Sequence, residues 1–277
     1  MNGVDLHTHS TASDGMLSPP ALVARAAGLG ITYLALTDHD SVDGIPAAID
    51  AARPYPGLTM IPGVELSTDI ENGEIHILGY FVDFTNLAFR VELERLRSSR
   101  QKRAHRMVER LHYLGFDLDW ERIREIAGNG AIGRPHIARA MLEKGYTESF
   151  EEAFERYIGQ GCPAYVERDK FTPPEAVNLV IEAGGIPVLA HPYSTSDPEA
   201  VIPALVATGL AGIEAYYYDH TTEQTDKLLN LAEQLGLIVT GGSDFHGLPA
   251  SGGELGSVDV PLDAVRHLIL LGTERHS

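Results

Sequence analysis

A chain of 277 residues has room for one large α/β domain, or for one domain carrying a sizeable insertion. With 44% hydrophobic residues and no run of about 18 apolar residues, it reads as globular and without a membrane span. The net charge of −18 at first argues against a polyanionic substrate. Cys162 is the only cysteine and excludes an internal disulfide. It reads as a small semi-buried side chain rather than a nucleophile. With no basic, apolar leader ahead of His7, a reducing cytoplasmic setting is expected.

In chain order, Val4–His9 reads as a first strand, and Ser18 before Pro19 caps a helix over Pro19–Leu29. A strand at Tyr33–Asp38, a helix at Ile45–Arg53 and strands at Thr59–Leu66 and Glu74–Val82 follow. Between Asp83 and Asp169 the rhythm breaks. A highly charged, helix-periodic run covers residues 91–111, and shorter helical pieces follow at Trp120–Ala127, Pro135–Lys144 and Phe150–Ile158. The alternation then resumes with helices at Pro173–Ala183, Glu199–Thr208, Glu223–Leu235 and Leu262–Leu271. Strands interleave with them at Ile186–His191, Gly212–Tyr218 and Leu237–Asp244. Seven strands in βαβ rhythm predict an α/β fold with a parallel, closed or nearly closed sheet. The expected units are residues 1–85 and 169–277 for the barrel and 86–168 for an all-helical insertion between strands four and five. Residues 86–170 carry 16 of the 21 basic residues and 14 of the 39 acidic ones. The remainder is an acidic shell suited to metal cations, and the middle segment supplies groups able to meet an anion.

Histidines and carboxylates recur at one place on this scaffold. His7 and His9 end strand one, spaced so that both imidazoles share a face. Asp14 follows in the next loop, His39 ends strand two, Glu65 ends strand three and His76 lies on strand four. His191 ends strand five, and Asp244 and His246 end strand seven. In β/α barrels that rim is where active sites form. Any one of these residues reads equally well as a satisfied structural side chain; nine at the same position do not. Imidazole and carboxylate without thiolate suit Zn²⁺, Mn²⁺ or Fe²⁺. Two such ions about 3.5–4 Å apart hold a bridging hydroxide and clamp the attacked phosphorus.

His7-Thr8-His9 with Ser13-Asp14-Gly15, Thr37-Asp38-His39-Asp40, Gly63-Val64-Glu65, His76, His191-Pro192 and Ser243-Asp244-Phe245-His246 together resemble the motif series of the PHP (polymerase and histidinol phosphatase) family. The resemblance implies a distorted, TIM-like (β/α)7 barrel and a metal-dependent phosphoesterase with two or three divalent ions, manganese foremost, then iron or zinc. On the family pattern His7, His9, Glu65 and Asp244 hold one ion. Glu65, His76 and His191 hold a second, with Glu65 bridging, and Asp14, His39 and His246 a third. The catalytic nucleophile it implies is a metal-bridged hydroxide; the sequence names no general acid.

Gly133-Arg134-Pro135-His136 places an arginine at the start of a helix in the insertion, where anions bind well. From position alone Arg134 reads equally as a surface ion pair or a phosphate contact, and Lys170 reads rather as solvated. The stretch and the insertion resemble a nucleotide-acting PHP subgroup, which points Arg134 and Lys170 at substrate. The resemblance implies removal of the 3′-phosphate from nucleoside 3′,5′-bisphosphates. The alternatives are a 5′-to-3′ exoribonuclease, histidinol-phosphate phosphatase, or a noncatalytic accessory domain, against which the intact ligand set argues. The expected partners are a small nucleotide or short RNA, with neither membrane nor obligate protein partner. Among other residues, Glu214 reads as a barrel-interior or supporting carboxylate, and Asp38 and Asp40 as groups able to orient an imidazole. Tyr216-Tyr217-Tyr218 reads as an alternating core-and-surface run and the Arg95–Arg110 helix as a solvated face. His220, His267 and His276 receive no role.

Overall fold

The computed structural model describes residues 3–70, 73–128, 132–167, 171–195, 197–247 and 252–275. Its first half runs β1 (Val4–Asp5), α1 (Pro19–Gly28), β2 (Tyr33–Leu36), α2 (Ile45–Ala52), β3 (Thr59–Ile70) and β4 (Gly73–Tyr80). After the fourth strand come α3 (Leu87–Tyr113), α4 (Trp120–Ala127), α5 (Arg134–Glu143) and α6 (Phe150–Ala153), the last running on into a π turn at Phe154–Ile158. The chain then continues through α7 (Pro173–Glu182), β5 (Ile186–Leu189), α8 (Pro198–Val206), β6 (Gly212–Tyr217), α9 (Thr222–Leu235), β7 (Ile238–Gly242) and α10 (Leu262–Arg275). Local chemistry sets the helix starts. Asn86 accepts from the Phe89 amide ahead of α3, and Thr221 and Gln224 cap α9 reciprocally.

The seven strands lie side by side in sequence order. Leu6 donates to the Gly241 carbonyl at 3.1 Å, and Thr8 bridges Phe245, so the first strand's extension meets the last and nearly closes the sheet. The expectation of a wholly parallel sheet is wrong at one strand. β4 runs antiparallel to both β3 and β5. Only two residues separate it from β3, far too few for a parallel crossover, so the pair forms a hairpin. The reversal puts the amino-terminal half of β4 on the rim where the other strands end, and His76 therefore stands near the start of its strand.

The strands also stop earlier than expected. β1, β2, β5 and β7 end at Asp5, Leu36, Leu189 and Gly242, so His7, His9, His39, His191, Asp244 and His246 stand in the loops just beyond the ladder. Glu65 and His76 lie within it. Leu6, Ala35, Ile61, Leu78 and Val188 form one buried cluster with Val265 and Leu268 of α10, and a larger cluster lies between the sheet and the surrounding helices. The second half of α3 and the helices α4 to α6 have a core of their own, which includes Met107, Leu111, Ile123, Ile137, Met141 and Ile158. Because β4 ends away from the rim, α3 must climb back. Its 27 residues span about 40 Å and carry Arg97 to Asp43 at 2.5 Å and Arg100 to Ser67 at 2.8 Å.

Candidate metal centre

The nine candidate ligands form one cluster, and five of its imidazoles meet the buried Glu65. Its Oε2 lies 3.1 Å from His9 Nε2 and 3.2 Å from both His7 Nε2 and His39 Nδ1. Its Oε1 lies 2.7 Å from His76 Nδ1 and 3.1 Å from His191 Nε2. One carboxylate thus faces two sets of imidazoles, as a bridging ligand must. Asp244 Oδ1 approaches His9 and His7 at 3.1 and 3.4 Å, and Asp14 Oδ1 lies 3.3 Å from His246 Nε2. The ligand atoms form three sets, each within 4.8 Å: His7, His9, Glu65 and Asp244; His39, Glu65 and His76; and His9, Asp14, His39 and His246. The expected grouping put His191 where the second set has His39; both reach Glu65, on opposite oxygens.

The donor set fits divalent cations. His7 Nε2, both nitrogens of His9, Asp14 Oδ1 and Glu65 Oε2 are buried and have no hydrogen-bond partner, although opposed groups lie close by. Buried polar atoms left so are rare and costly. Atoms that approach without hydrogen-bond alignment are aimed at points between them, where cations would satisfy them all.

Electrostatics agree. Burial pushes the His9 imidazolium down, but Asp244 and Glu65 outweigh it and lift the pKa to about 10. His7 is raised in the same way against burial by Glu214, Glu65 and Asp244, and His191 by Glu65. Burial would raise the carboxyl of Glu65, yet His39, His7 and His76 hold it well below its ordinary value. Asp244 and Asp14 are lowered likewise by the imidazoles around them. His39 differs: burial dominates and keeps its pKa well below 6.5.

A supporting layer orients the ligands. The fully buried Glu214 accepts from His7 Nδ1 at 3.1 Å and from the His191 amide at 2.8 Å, which leaves His7 Nε2 for the centre. Tyr217 donates to Asp244 Oδ2 at 2.9 Å. It does not follow the expected core-and-surface alternation, because a bulge between Glu214 and Tyr216 resets the strand's faces. Asp38 and Asp40 touch no imidazole, contrary to expectation. Asp38 accepts from the Ser10 amide and the Ser10 and Ser13 hydroxyls, fixing the loop after His9. Asp40 accepts from the Ser67 amide and pairs with Arg100. Asp5, which the sequence did not single out, holds the Ser243 amide and hydroxyl and the Gly256 amide. Backbone strain gathers here too: Asp40, His191 and Asp244 are three of the four described non-glycine residues with positive φ.

Beside the cluster a cavity of about 110 Å³ is lined by Asp14, His39 and His76 on the barrel side and by Arg100, Arg103, Arg134 and Phe154 opposite. Arg134 pairs with Glu74 at 2.6 Å and lies over the Phe154 ring. Arg103 meets the other oxygen of Glu74 at 3.2 Å. Arg100 and Arg103 correct the reading of Arg95–Arg110 as a solvated face, since Arg103 is buried and both line the cavity. Their neighbours Arg95 and Arg97 do pair with glutamates three residues back. Lys170, and the expected boundary at 168–169, lie outside the described residues.

The PHP domain profile matches residues 5–160. The chain belongs to the PHP domain family. Among curated PHP relatives, the 5′-3′ exoribonuclease Rnm of Salmonella typhimurium is 36% identical over 87% of this chain and 84% of its own. The 3′,5′-nucleoside bisphosphate phosphatase of Chromobacterium violaceum is 33% identical over 91% and 90%. Of solved structures, one described as a metal-dependent phosphoesterase from Bifidobacterium adolescentis superposes with a TM-score of 0.87 at 32% identity over 97% of this chain and 96% of its own. An amidohydrolase from Chromobacterium violaceum, solved with bound sulfate and no metal, gives 0.88 at 31% identity over the same shares. These likenesses span the whole barrel and the helices between β4 and β5.

Proposed function

We propose that the chain removes the 3′-phosphate of nucleoside 3′,5′-bisphosphates, with the barrel rim carrying the chemistry and residues 86–168 forming a cap that selects substrate. The reaction class follows from the family: the chain is a metal-dependent phosphoesterase. The observation that carries the substrate reading is the cavity whose one wall is the ligand cluster and whose other wall is Arg100, Arg103 and Arg134. Two separate anion-binding regions in one cavity suit a substrate with two phosphates.

In this reading His7, His9, Asp14, His39, Glu65, His76, His191, Asp244 and His246 hold two or three divalent ions. Such ions, when bound, activate water and neutralise the equatorial oxygens of the phosphoryl group. The chain's own residues do the rest. Glu214 and Tyr217 orient His7 and Asp244. Arg134 and Arg103 take the non-reacting 5′-phosphate in place of the Glu74 carboxylate, and the binding energy of that distant group positions the reacting one. The P–O3′ bond breaks, a P–O bond to water forms, and the proton ends on O3′.

A second reading, 5′-to-3′ exoribonuclease, is favoured by relatives of that name at 36% and 37% identity. The two readings break the same P–O3′ bond of a 5′-phosphorylated nucleotide and differ only in whether the phosphorus carries a further ester. Comparing the 3′,5′-bisphosphate with the 3′- and 5′-monophosphates and a short 5′-phosphorylated RNA separates them. The bisphosphate should exceed both monophosphates in kcat/KM. Equal efficiency on all monophosphates removes the second anion site, and much higher efficiency on RNA favours the exoribonuclease.

A further inference from the structure

A second cavity, of about 290 Å³, lies between the loop after β1 and the helices α4 and α5. Asp14 and Pro135 stand in its wall and in the wall of the arginine cavity, so the two spaces adjoin at the candidate ligand Asp14. A molecule held by its phosphates in the first cavity has the second within reach of its remaining part.

The lining does not suit a further phosphate. Its charged members are Arg122, Arg139, Asp14 and Glu125, two of each sign. Arg122 already spends three nitrogens, on Glu143 at 2.9 and 3.2 Å and on Glu125 at 2.9 Å. Arg139 faces Glu143 at 3.5 Å. The rest of the surface is largely apolar, with Met16, Ile126 and Pro135, and the Arg139 guanidinium meets the Met16 sulfur at 3.0 Å. Apolar walls beside a planar guanidinium suit a flat, uncharged ring, since bases stack on guanidinium planes as they do on aromatic ones.

One polar group opens on this space. His136, the third residue of α5, is buried, and the Gly133 amide donates to its Nδ1 at 3.0 Å. An amide N–H can only donate, so Nδ1 is the acceptor and the ring proton sits on Nε2. Burial, which holds the imidazole pKa below its ordinary value, keeps the ring in that neutral form. Nε2 has no partner among the described residues, yet it is not sealed off as the unpartnered nitrogens of His7 and His9 are. Its N–H therefore faces the cavity that His136 lines.

We propose that this cavity takes the nucleobase of the bisphosphate, with the His136 Nε2–H donating to a ring nitrogen or carbonyl oxygen of the base. The proposal rests on the reading that places the reacting phosphate on the ligand cluster and the 5′-phosphate on the arginines. Every common base carries such an acceptor on its edge. The site therefore separates nucleotides from base-free sugar bisphosphates and discriminates little among bases, and His136 is a specificity-determining residue.

The test uses the metal-loaded full chain with two substrates: a nucleoside 3′,5′-bisphosphate, and the same sugar bisphosphate with hydrogen in place of the base. The wild type should turn over the base-free compound with kcat/KM lower by roughly 10- to 100-fold. His136→Asn keeps an acceptor for the Gly133 amide and removes the Nε2 donor. It should narrow that ratio by roughly 5- to 10-fold with metal content unchanged. Product affinity gives the same comparison without turnover: adenosine 5′-monophosphate should bind the wild type more tightly than ribose 5-phosphate. If the variant fails to fold, the two wild-type comparisons decide alone. Equal efficiencies or equal product affinities in the wild type, or a ratio untouched by His136→Asn, overturn the base assignment while the phosphatase reading stands. So does an equal loss on both compounds, which would make His136 a group that acts through Asp14. A wild type inactive on the bisphosphate overturns that reading itself.

Discussion

Arg134 of α5 and Glu74 of β4 meet at 2.6 Å across the seam between the inserted helices and the barrel. Glu74 also receives Arg103 of α3, so one carboxylate occupies two guanidinium groups on the cavity wall. The arrangement resembles an anion site filled by the protein's own carboxylate. Arg134→Ala leaves Glu74 paired to Arg103, so the fold should tolerate it. Loss of one charge-assisted contact to phosphate should raise KM for a 5′-phosphorylated substrate by roughly 10- to 100-fold. Metal content, measured by elemental analysis, should not change; loss of metal with normal turnover per metal would overturn the division of labour between cap and rim.

Glu214→Gln tests the supporting layer. The amide keeps the shape but loses the charge that orients His7 through Nδ1. Metal affinity should fall by roughly 10- to 100-fold, read by titration with Mn²⁺ or Zn²⁺, and high metal concentration should restore activity. An unchanged affinity would mean that Glu214 only fills the barrel.

Metal binding should release protons. His9, with a pKa of about 10, and His7, raised well above 6.5, carry protons near neutral pH in the metal-free centre, His191 and His246 are raised in the same direction, and a cation must displace these protons. Calorimetry in Tris and in PIPES should give binding enthalpies that differ in the direction of proton release, and affinity should weaken as pH falls. Identical enthalpies in both buffers would contradict this.

The same groups fix how the chelated protein responds to pH. Imidazoles raised in the fold stabilise it fully below their unfolded value of 6.5, and that stabilisation is lost as pH climbs toward 10. Carboxylates lowered in the fold, Glu65, Asp14 and Asp244, stabilise it above about 4.5 and fail as pH falls further. His39, His136 and His220, depressed chiefly by burial, oppose the first trend, and Asp5 and Asp38, raised by burial, oppose the second, but the four raised imidazoles and three lowered carboxylates of the ligand cluster set the overall direction. Thermal unfolding in EDTA should therefore peak between about pH 4.5 and 6.5. A maximum near pH 9 would contradict the assignment.

Gly242 ends β7 where an added Cβ would fall against the backbone and Cβ of His7. Gly242→Ala should cost about 1–3 kcal/mol by overpacking and displace His7, visible as a lower midpoint of unfolding together with lost metal. Wild-type stability would show that the contact relaxes freely.

The ligand positions were legible because each is a strong metal donor next to an apolar, β-branched run, and no other residue pattern in the chain repeats in that way. The direction of β4 was also within reach, since the short gap after β3 leaves no room for a crossover. Arg100 and Arg103 were not. On α3 they share a periodic field of arginines and glutamates, and only the packing distinguishes the two that face inward from Arg95 and Arg97, which pair along the helix. Asp5 was hidden for a different reason: its partner Ser243 lies 238 residues away. Tyr217 depends on a bulge that strict alternation cannot express.

The hairpin of β3 and β4 sets a length. Glu74 and His76 stand two residues apart on one face of β4, the first under the arginines and the second on the ligand cluster. Two strand rises, about 6.8 Å, therefore separate the arginine-paired carboxylate from the ligand cluster. This ruler is graduated in whole residues, because a slip of one would turn both side chains to the opposite face. On the proposed reading, the spacing between two phosphates that the site accepts would be set by the backbone of the hairpin.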